Sequence, residues 1–169
     1  RQGDDNLYVR LKGGDAGSVW GLKETYHIDR KGTADAFKVD KIWYTFPVGD
    51  SNTFWVGPKI ENYYMHATAP SIYKPVLKQF TLGGNGAAYG ASTKSGAGWA
   101  YKADNGFAVS SNVVTGTSSL LTDDSITSWA TQVGYTQPQY SASLMINQKY
   151  NGWEDGYYST TKGHYRLLD

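Results

Sequence analysis

The sequence lacks cysteine and is poor in charge, and each absence removes a class of protein. Without cysteine, disulfide scaffolds, thiolate zinc sites and cysteine nucleophiles are excluded. Charged residues make up 18% of the chain, whereas an ordinary soluble domain has about 25%. The 16 Lys and Arg nearly balance the 15 Asp and Glu, and no basic stripe is visible. We therefore expect no nucleic-acid partner.

Long hydrophobic runs are also missing. No stretch approaches about 18 consecutive apolar residues, which excludes a transmembrane helix. A spanning β-barrel remains compatible with the sequence, because only every second residue of its strands needs to be apolar. The 169 residues suffice for one domain. The chain begins at Arg1 without a signal-peptide core, so we expect either a removed targeting segment or an internal piece of a longer protein.

Period-two alternation of apolar and polar residues recurs along the chain, whereas helix periodicity is nearly absent. In the clearest case, within Tyr140–Tyr150, Leu144 and Ile146 share one face while Ser141 and Ser143 share the other. Eight such stretches are predicted to be strands, the last on weaker alternation: residues 7–12, 37–46, 54–61, 98–102, 107–114, 129–136, 140–150 and 157–167. Residues 19–28 also have strand-like composition, but their alternation breaks and we interpret them as loop.

Short turns alternate with long connections between these strands. The predicted turns are 47–51, 103–106 and 137–139, of which the second ends in Asn105-Gly106, a strong hairpin signal. The long connections are residues 13–36, 62–97 and 115–128. Alternation of this kind places all tight turns at one end, as in transmembrane β-barrels. The predicted fold is therefore an all-β, antiparallel up-and-down transmembrane β-barrel, or part of one, in a single domain spanning residues 1–169.

Aromatic residues make up 15% of the chain and flank every predicted turn. Rings of this kind are stable at a membrane interface, so we expect an aromatic girdle. Its predicted members are Trp43, Phe54, Trp99, Phe107, Trp129, Tyr135, Tyr140 and Tyr150. The same residues stabilise hairpins in soluble proteins. The alternative is therefore a soluble β-sandwich that binds glycans through exposed Tyr and Trp.

Two stretches carry a resemblance to a known family. KVDKIWYTFPVGDSNTFWVGPKIENYY, residues 38–64, resembles the turn and following strand of cyanobacterial outer-membrane porins of the carbohydrate-selective porin superfamily. Residues 69–114 resemble the long inserted loop and next hairpin of the same family, and the overall similarity covers roughly residues 7–153. Complete members look like a surface-layer-homology domain, a coiled coil and a barrel of about sixteen strands. This chain resembles a middle portion of that barrel.

The resemblance implies a multi-pass protein of the outer membrane. It implies passive diffusion of small hydrophilic solutes or ions through a charged constriction, contact with outer-membrane lipid, and assembly as a homotrimer. No enzymatic activity is expected, because nothing in the sequence is similar to a nucleophile elbow. No metal or other cofactor is expected either, since His27, His66 and His164 lack the spacing of metal ligands.

In a porin, charges that face the lumen determine solute preference. Alternation predicts that Val56 and Ile60 face lipid and that Lys59 and Glu61 face the lumen, as do Arg10 and Lys12. Smaller polar residues are expected to form an inner wall that faces water: Ser110, Asn112, Gln132, Ser141 and Ser143. By analogy with porin loops that fold inward, the connection 62–97 is the predicted constriction. It carries Lys74 and Lys78. Alternatively, this connection merely covers the mouth and packs against trimer neighbours.

Replacing Lys74 and Lys78 together by Glu tests the constriction hypothesis. We expect the single-channel ion preference to shift toward cations, because two positive charges at a narrow passage become negative. The reversal potential in a salt gradient measures this preference. Unchanged selectivity would remove both lysines from the filter.

Overall fold

The structure is a computed structural model that describes residues 4–14, 36–68, 93–116 and 126–149, and the backbone of 163–168. The described strands are β1 (Asn6–Lys12), β2 (Lys38–Val48), β3 (Asn52–Ile60), β4 (Lys94–Lys102), β5 (Phe107–Thr115), β6 (Thr127–Gln137), β7 (Tyr140–Lys149) and β8 (Gly163–Leu168). A 3-10 turn, Asn62–Met65, follows β3. No described helix has the length and apolarity needed to cross a bilayer.

The eight strands form one sheet in chain order, and every neighbouring pair is antiparallel. This confirms the predicted all-β, up-and-down architecture. Within the described part of the chain no pairing joins β1 to β8, so the sheet is open there. Residues 19–28, interpreted as loop, lie outside the described residues.

Three tight turns connect β2 to β3, β4 to β5 and β6 to β7, and the up-and-down order places them at one end of the sheet. Gly49 and Gly106 adopt φ values of 65° and 93°, in the left-handed region that favours glycine. In the second turn the Ala103 N–H donates to the Phe107 carbonyl at 2.8 Å. The Asn105 side chain accepts from the Phe107 N–H at 3.0 Å. We call this end of the sheet the turn end and the opposite end the loop end.

The two faces of the sheet differ in which side chains they bury. In a soluble protein apolar side chains are usually buried and polar ones exposed, whereas here the distribution is the reverse. One face, called the outer face, exposes large apolar side chains, and Leu144 and Ile146 are 44% and 39% accessible. The opposite inner face buries polar side chains, among them Ser110, Asn112 and Gln132. The exposed apolar residues of the outer face are Leu7, Val9, Leu11, Val39, Tyr44, Val48, Val56, Phe107, Trp129, Val133, Tyr135, Tyr140, Leu144 and Ile146.

Register shifts occur in three strand pairings and change which residues face inward. The shift between β2 and β3 lies between Ile42 and Tyr44. Between β1 and β2 the pairing passes from Arg10–Lys41 to Leu11–Val39, so Asp40 is an extra residue in β2. Between β3 and β4 the shift lies after Gly57, and Ile60 is paired with Lys94. Such bulges bend the strand and re-aim the side chains beyond them.

Because of the shift after Gly57, the end of β3 does not follow the expected alternation. Ile60 was predicted to share the outer face with Val56, but it is completely buried on the inner face. Lys59, predicted to face inward, pairs instead with Ile42 and is exposed. Its Nζ donates to the Val39 carbonyl at 3.0 Å. Counting alternate residues from Val56 assigns Ile60 and Lys59 to the wrong faces, because it assumes that the strand pairing continues without a bulge.

The predicted place of Trp43 in an exposed girdle is also wrong. Trp43 is 5% accessible and lies on the inner face, with its ring stacked on Tyr8 at a centroid distance of 4.0 Å. Neighbouring residues of a strand point to opposite faces, and Tyr44 occupies the outer one. Trp43 belongs to a small apolar cluster at the loop end that also contains Ile60, Met65 and Val114.

Strand β4 begins at Lys94, four residues before the predicted start at Gly98. The missed residues include Gly96, which has little strand propensity because it offers no side chain to pack. The structure shows why a glycine is suitable here. A Cβ on Gly96 would approach Ile60 and Val114 to 2.9 Å each. The small residues of β4 therefore make room for bulky neighbours on the inner face.

Candidate functional site on the inner face

A cluster of charged side chains lies on the inner face where β1, β2 and the end of β3 meet. Its members, here called the charged cluster, are Arg10, Lys12, Asp40, Lys41 and Glu61. Arg10 Nε donates to one oxygen of Asp40 at 2.5 Å, and Lys12 Nζ lies 2.8 Å from the other. Two cations therefore share one carboxylate. Only the bulge at Asp40 permits this, because an unbroken strand would turn Asp40 to the face opposite Lys41.

Lys41 is the most deeply buried member of the cluster, with 1% of its side chain accessible. Its Nζ forms an ion pair with Glu61 and donates to the Tyr63 hydroxyl at 3.3 Å. It also lies 4.6 Å from the centre of the Tyr64 ring, a cation–π distance. A buried ammonium needs such partners, since an unpaired charge in a protein interior is costly.

Glu61 is held ionised by its neighbours. Burial alone would raise the pKa of Glu61, but the Lys41 ammonium, hydrogen-bonded to it, outweighs burial and keeps the pKa below its ordinary value. The Thr93 hydroxyl, which donates to Glu61 at 2.6 Å, acts in the same direction. Burial and the adjacent carboxylate raise the pKa of Tyr63 above its ordinary range, so the phenol stays protonated.

Residues 62–68, the first part of the long connection after β3, lie across the inner face of β4, β5 and β6. We call them the inner segment. At its start, Asn62 Nδ2 donates to Asn112 Oδ1 at 2.8 Å and to the Ser128 carbonyl at 3.1 Å. Asn112 is also within 3.2 Å of His66 Nδ1. In its described part, the connection predicted to form the constriction lies against the inner face of the sheet.

At the other end of the inner segment, the bonds reach β5 and β6. The Ala67 N–H donates to Ser110 Oγ at 3.0 Å. Gln132 accepts from the Thr68 N–H at 3.0 Å and donates back to the Thr68 carbonyl at 2.9 Å. Gln132 thus pairs with this residue as a neighbouring strand would.

These contacts correct the expectation of an inner wall that faces water over β5, β6 and β7. Four of the five predicted wall residues are buried: Ser110, Asn112, Gln132 and Ser143. The fifth, Ser141, is exposed near the turn end. Sequence reasoning identified the polar face of these strands and proposed the connection 62–97 as an inward-folding loop. It did not predict that residues 62–68 bury these side chains, because Asn62 and Thr68 carry no signal beyond their polarity.

Two glycines let the inner segment approach the sheet. A Cβ on Gly134 would lie 2.1 Å from Thr68 Oγ1, and one on Gly98 would lie 2.7 Å from Met65 Sδ. Real Cβ atoms are not found at such distances, so any larger residue would displace the segment. Both glycines lie in strands, where glycine is otherwise unfavourable and marks a close approach.

The remaining predicted site residues are placed as follows. Arg10, Lys12 and Glu61 lie in the charged cluster on the inner face, whereas Lys59 does not. Lys74, Lys78 and Tyr150 lie outside the described residues. Sequence reasoning left Asp40 and Lys41 out of the site, although three charged residues within 38–41 already broke the alternation expected of a regular strand.

The outer face carries aromatic rings toward the turn end. Phe107, Tyr135 and Tyr140 are exposed there, and the last two have ring centroids 6.3 Å apart. Phe54 and Trp99 are directly paired across β3 and β4 on the same face. Trp129 lies nearer the loop end, and together with Phe54 and Trp99 it lines an apolar groove of about 510 Å³.

No group of three or more His, Asp or Glu side chains in residues 4–14, 36–68, 93–116 and 126–149 is arranged to hold a metal ion. In comparisons with known proteins, no family model, no curated protein and no solved structure matches the chain.

The ion pair between Lys41 and Glu61 gives a stability prediction. We expect Glu61→Gln to lower the free energy of unfolding by about 3 kcal/mol, because it leaves a buried ammonium without its counter-charge. Since the folded-state pKa of Glu61 is lowered, the native pair contributes fully at neutral pH. The contribution is lost as the pH falls through that lowered value.

Urea titration followed by tryptophan fluorescence, at neutral pH and at about pH 3, measures this contribution. The matched control is the double variant Lys41→Met with Glu61→Met, which removes both charges and should be more stable at neutral pH than Glu61→Gln. Equal stability of Glu61→Gln and the native protein at neutral pH would contradict the role of the pair.

The contact between Gly134 and Thr68 gives a second prediction. We expect Gly134→Ala to displace the inner segment and to reduce hydrogen-exchange protection of the Ala67 and Thr68 amides by about tenfold. Adding Thr68→Gly removes the atoms that the new methyl group meets while keeping the amide. The double variant should therefore recover protection, whereas equal protection in Gly134→Ala and the native protein would show that the approach is not tight.

Proposed function

We propose that the chain forms part of the wall of an outer-membrane porin through which small hydrophilic solutes or ions diffuse passively. The observation that carries this proposal is the reversed burial of the sheet. Val133 and Leu144, paired across β6 and β7, are each 44% accessible on the outer face. Gln132 and Ser143 are buried on the inner face. A barrel wall in a membrane has this distribution, apolar toward lipid and polar toward the interior.

The strand lengths agree with a membrane span. The ten residues of β7 extend roughly 33 Å at about 3.3 Å per residue. At a tilt of about 45° they rise roughly 23 Å, close to the apolar band of about 25 Å of an outer-membrane barrel. β2 and β6, with 11 residues each, are also long enough.

The outer-face aromatic residues support the same orientation. Phe107, Tyr135 and Tyr140 lie next to the tight turns, where a ring would meet the headgroup region. A soluble β-sandwich would instead cover this face with a second sheet. The described strands belong to one sheet, and the large apolar side chains of its outer face are exposed.

The inner segment gives the proposed channel its narrow part. In the proposed channel, residues 62–68 occupy interior space beside β4, β5 and β6, and solute passes the charged cluster on the side of β1 and β2. Selection by charge is then the chemistry of the site, with no bond made or broken. We further propose assembly as a homotrimer and membership of the carbohydrate-selective porin superfamily, on the resemblance of residues 38–64 and 69–114.

Substitution of an outer-face residue by Arg tests the proposal. In a soluble protein, replacing the half-exposed Leu144 by Arg would change stability by no more than about 0.5 kcal/mol. On the lipid face near the midplane, the same change costs about 2–4 kcal/mol. We expect the larger loss for Leu144→Arg, measured by urea unfolding of the intact native protein in lipid vesicles.

Leu144→Ala is the control for loss of the side chain alone. Stepwise conductance of the native protein in planar bilayers completes the test. Solubility as a single species in buffer without detergent, together with unchanged stability of Leu144→Arg, would overturn the membrane proposal.

A further inference from the structure

We infer that the inner face favours small anions over cations, an inference that rests on the proposed porin function. The observation behind this inference is that most of the described charges on this face are positive. Toward the loop end, five basic residues face inward against two acidic ones: Arg10, Lys12, Lys38, Lys41 and Lys94 against Asp40 and Glu61. The whole chain is nearly neutral, with net charge +1, so the excess is local.

The pairing of neighbouring strands shows that Lys38 and Lys94 face inward. Lys38 is paired with Lys12, whose side chain faces inward to Asp40. Lys94 is paired with Ile60, which is buried on the inner face. Directly paired residues project to the same face of a sheet. Lys102, paired with the buried Ala108, adds one further positive charge near the turn end.

Apart from the buried Lys41, the basic side chains of the inner face are also more accessible than the acidic ones. The side chains of Arg10 and Lys12 are 36% and 35% accessible, whereas that of Asp40 between them is 10% accessible. Lys38 and Lys94 are exposed. A solute at the inner face therefore meets cationic groups, while the carboxylates are covered by the cations that they bind.

The acidic residues of the turn end do not cancel this field. Asp4, Asp50 and Asp104 lie outside the strands and are exposed to solvent, where salt screens charges separated by more than about 8 Å. Asp5 accepts from the hydroxyl of Tyr44, an outer-face residue. Charges along a confined passage between low-dielectric walls act more strongly on a passing ion. The inner-face cations therefore decide the preference.

The structure also indicates the side on which the anion passes. Over β5 and β6 the inner face is closed by the inner segment through bonds to Ser110 and Gln132. Beside β1 and β2 it bears Arg10, Lys12 and Lys38. The path of lowest energy for a small inorganic or organic anion follows these three residues.

The reversal potential of the intact native protein in a planar bilayer under a KCl gradient tests the inference. We expect a chloride-to-potassium permeability ratio above one. Lys12→Gln with Lys38→Gln should lower the ratio roughly threefold, since two accessible charges are lost from the passage. This variant leaves the ion pair of Arg10 with Asp40 in place, so the fold is retained.

Single substitutions give the matched comparison. Lys12→Gln removes one charge from the inner face, whereas Lys59→Gln removes one charge at the same end from the outer face. We expect only the first to lower the ratio. A native ratio below one, or equal effects of the two single variants, overturns the anion preference while leaving the porin proposal intact. Absence of any conductance in the native protein overturns the porin proposal and this inference with it.

Discussion

The structure depends on one constraint, which is that the polar groups of the inner face must find partners within the protein. Most large apolar side chains of the sheet face outward, and the apolar cluster of Trp43, Ile60, Met65 and Val114 accounts for the order of the inner face only at the loop end. The inner segment meets this need. Asn62 binds Asn112, Ala67 binds Ser110, and Thr68 pairs twice with Gln132. Each bond is modest, but a buried donor or acceptor left without one costs about 1–3 kcal/mol. Apart from Met65, which packs in the apolar cluster, the segment is thus fixed by the polar side chains of the inner face.

The charged cluster anchors this segment where it leaves the sheet. Glu61 is the residue between β3 and the 3-10 turn, and it pairs with Lys41 of β2. The chain direction after β3 is therefore determined by a buried ion pair at one end and by an amide pairing at the other. Gly134 then allows the final approach, because its missing Cβ leaves space for Thr68. The ion pair, the amide pairing and the missing Cβ of Gly134 all act on the seven residues 62–68. Together they explain why this stretch is ordered although it contains only a single turn of helix.

The strands and their order could be predicted from the sequence. The face that a side chain occupies could not be predicted where a bulge interrupts the strand pairing. Period-two alternation and tight turns predicted seven of the described strands within a few residues, because alternation depends only on neighbours along the chain. Ile60 and Lys59 were assigned to the wrong face, because a face assignment depends on every residue counted before it and one bulge reverses it. Trp43 was misplaced for another reason, since it was grouped with the aromatic residues around a turn without regard to its alternation with Tyr44. The partners of Ser110 and Gln132 were not predictable, since they come from a segment more than 40 residues away in sequence. The inward position of Arg10 and Lys12 needed only local alternation within β1.

The two bulges have a chemical consequence that local alternation does not reveal. A regular β2 would direct Asp40 outward, leaving Arg10 and Lys12 without the carboxylate that they share. A β3 ladder unbroken to its end would keep Ile60 with Val56 on the outer face and Lys59 on the inner one. In β2 the extra residue brings Asp40 inward, and because it also exchanges the faces of Val39 and Lys38, it brings the Lys38 ammonium inward as well. These two charges offset each other, so the bulge in β2 leaves the net charge of the inner face unchanged. In β3 the shift sends Lys59 outward and lowers the positive charge of the inner face by one. An excess of positive charge remains on the described inner face, where it is spread over β1, β2 and β4 and does not depend on any one side chain.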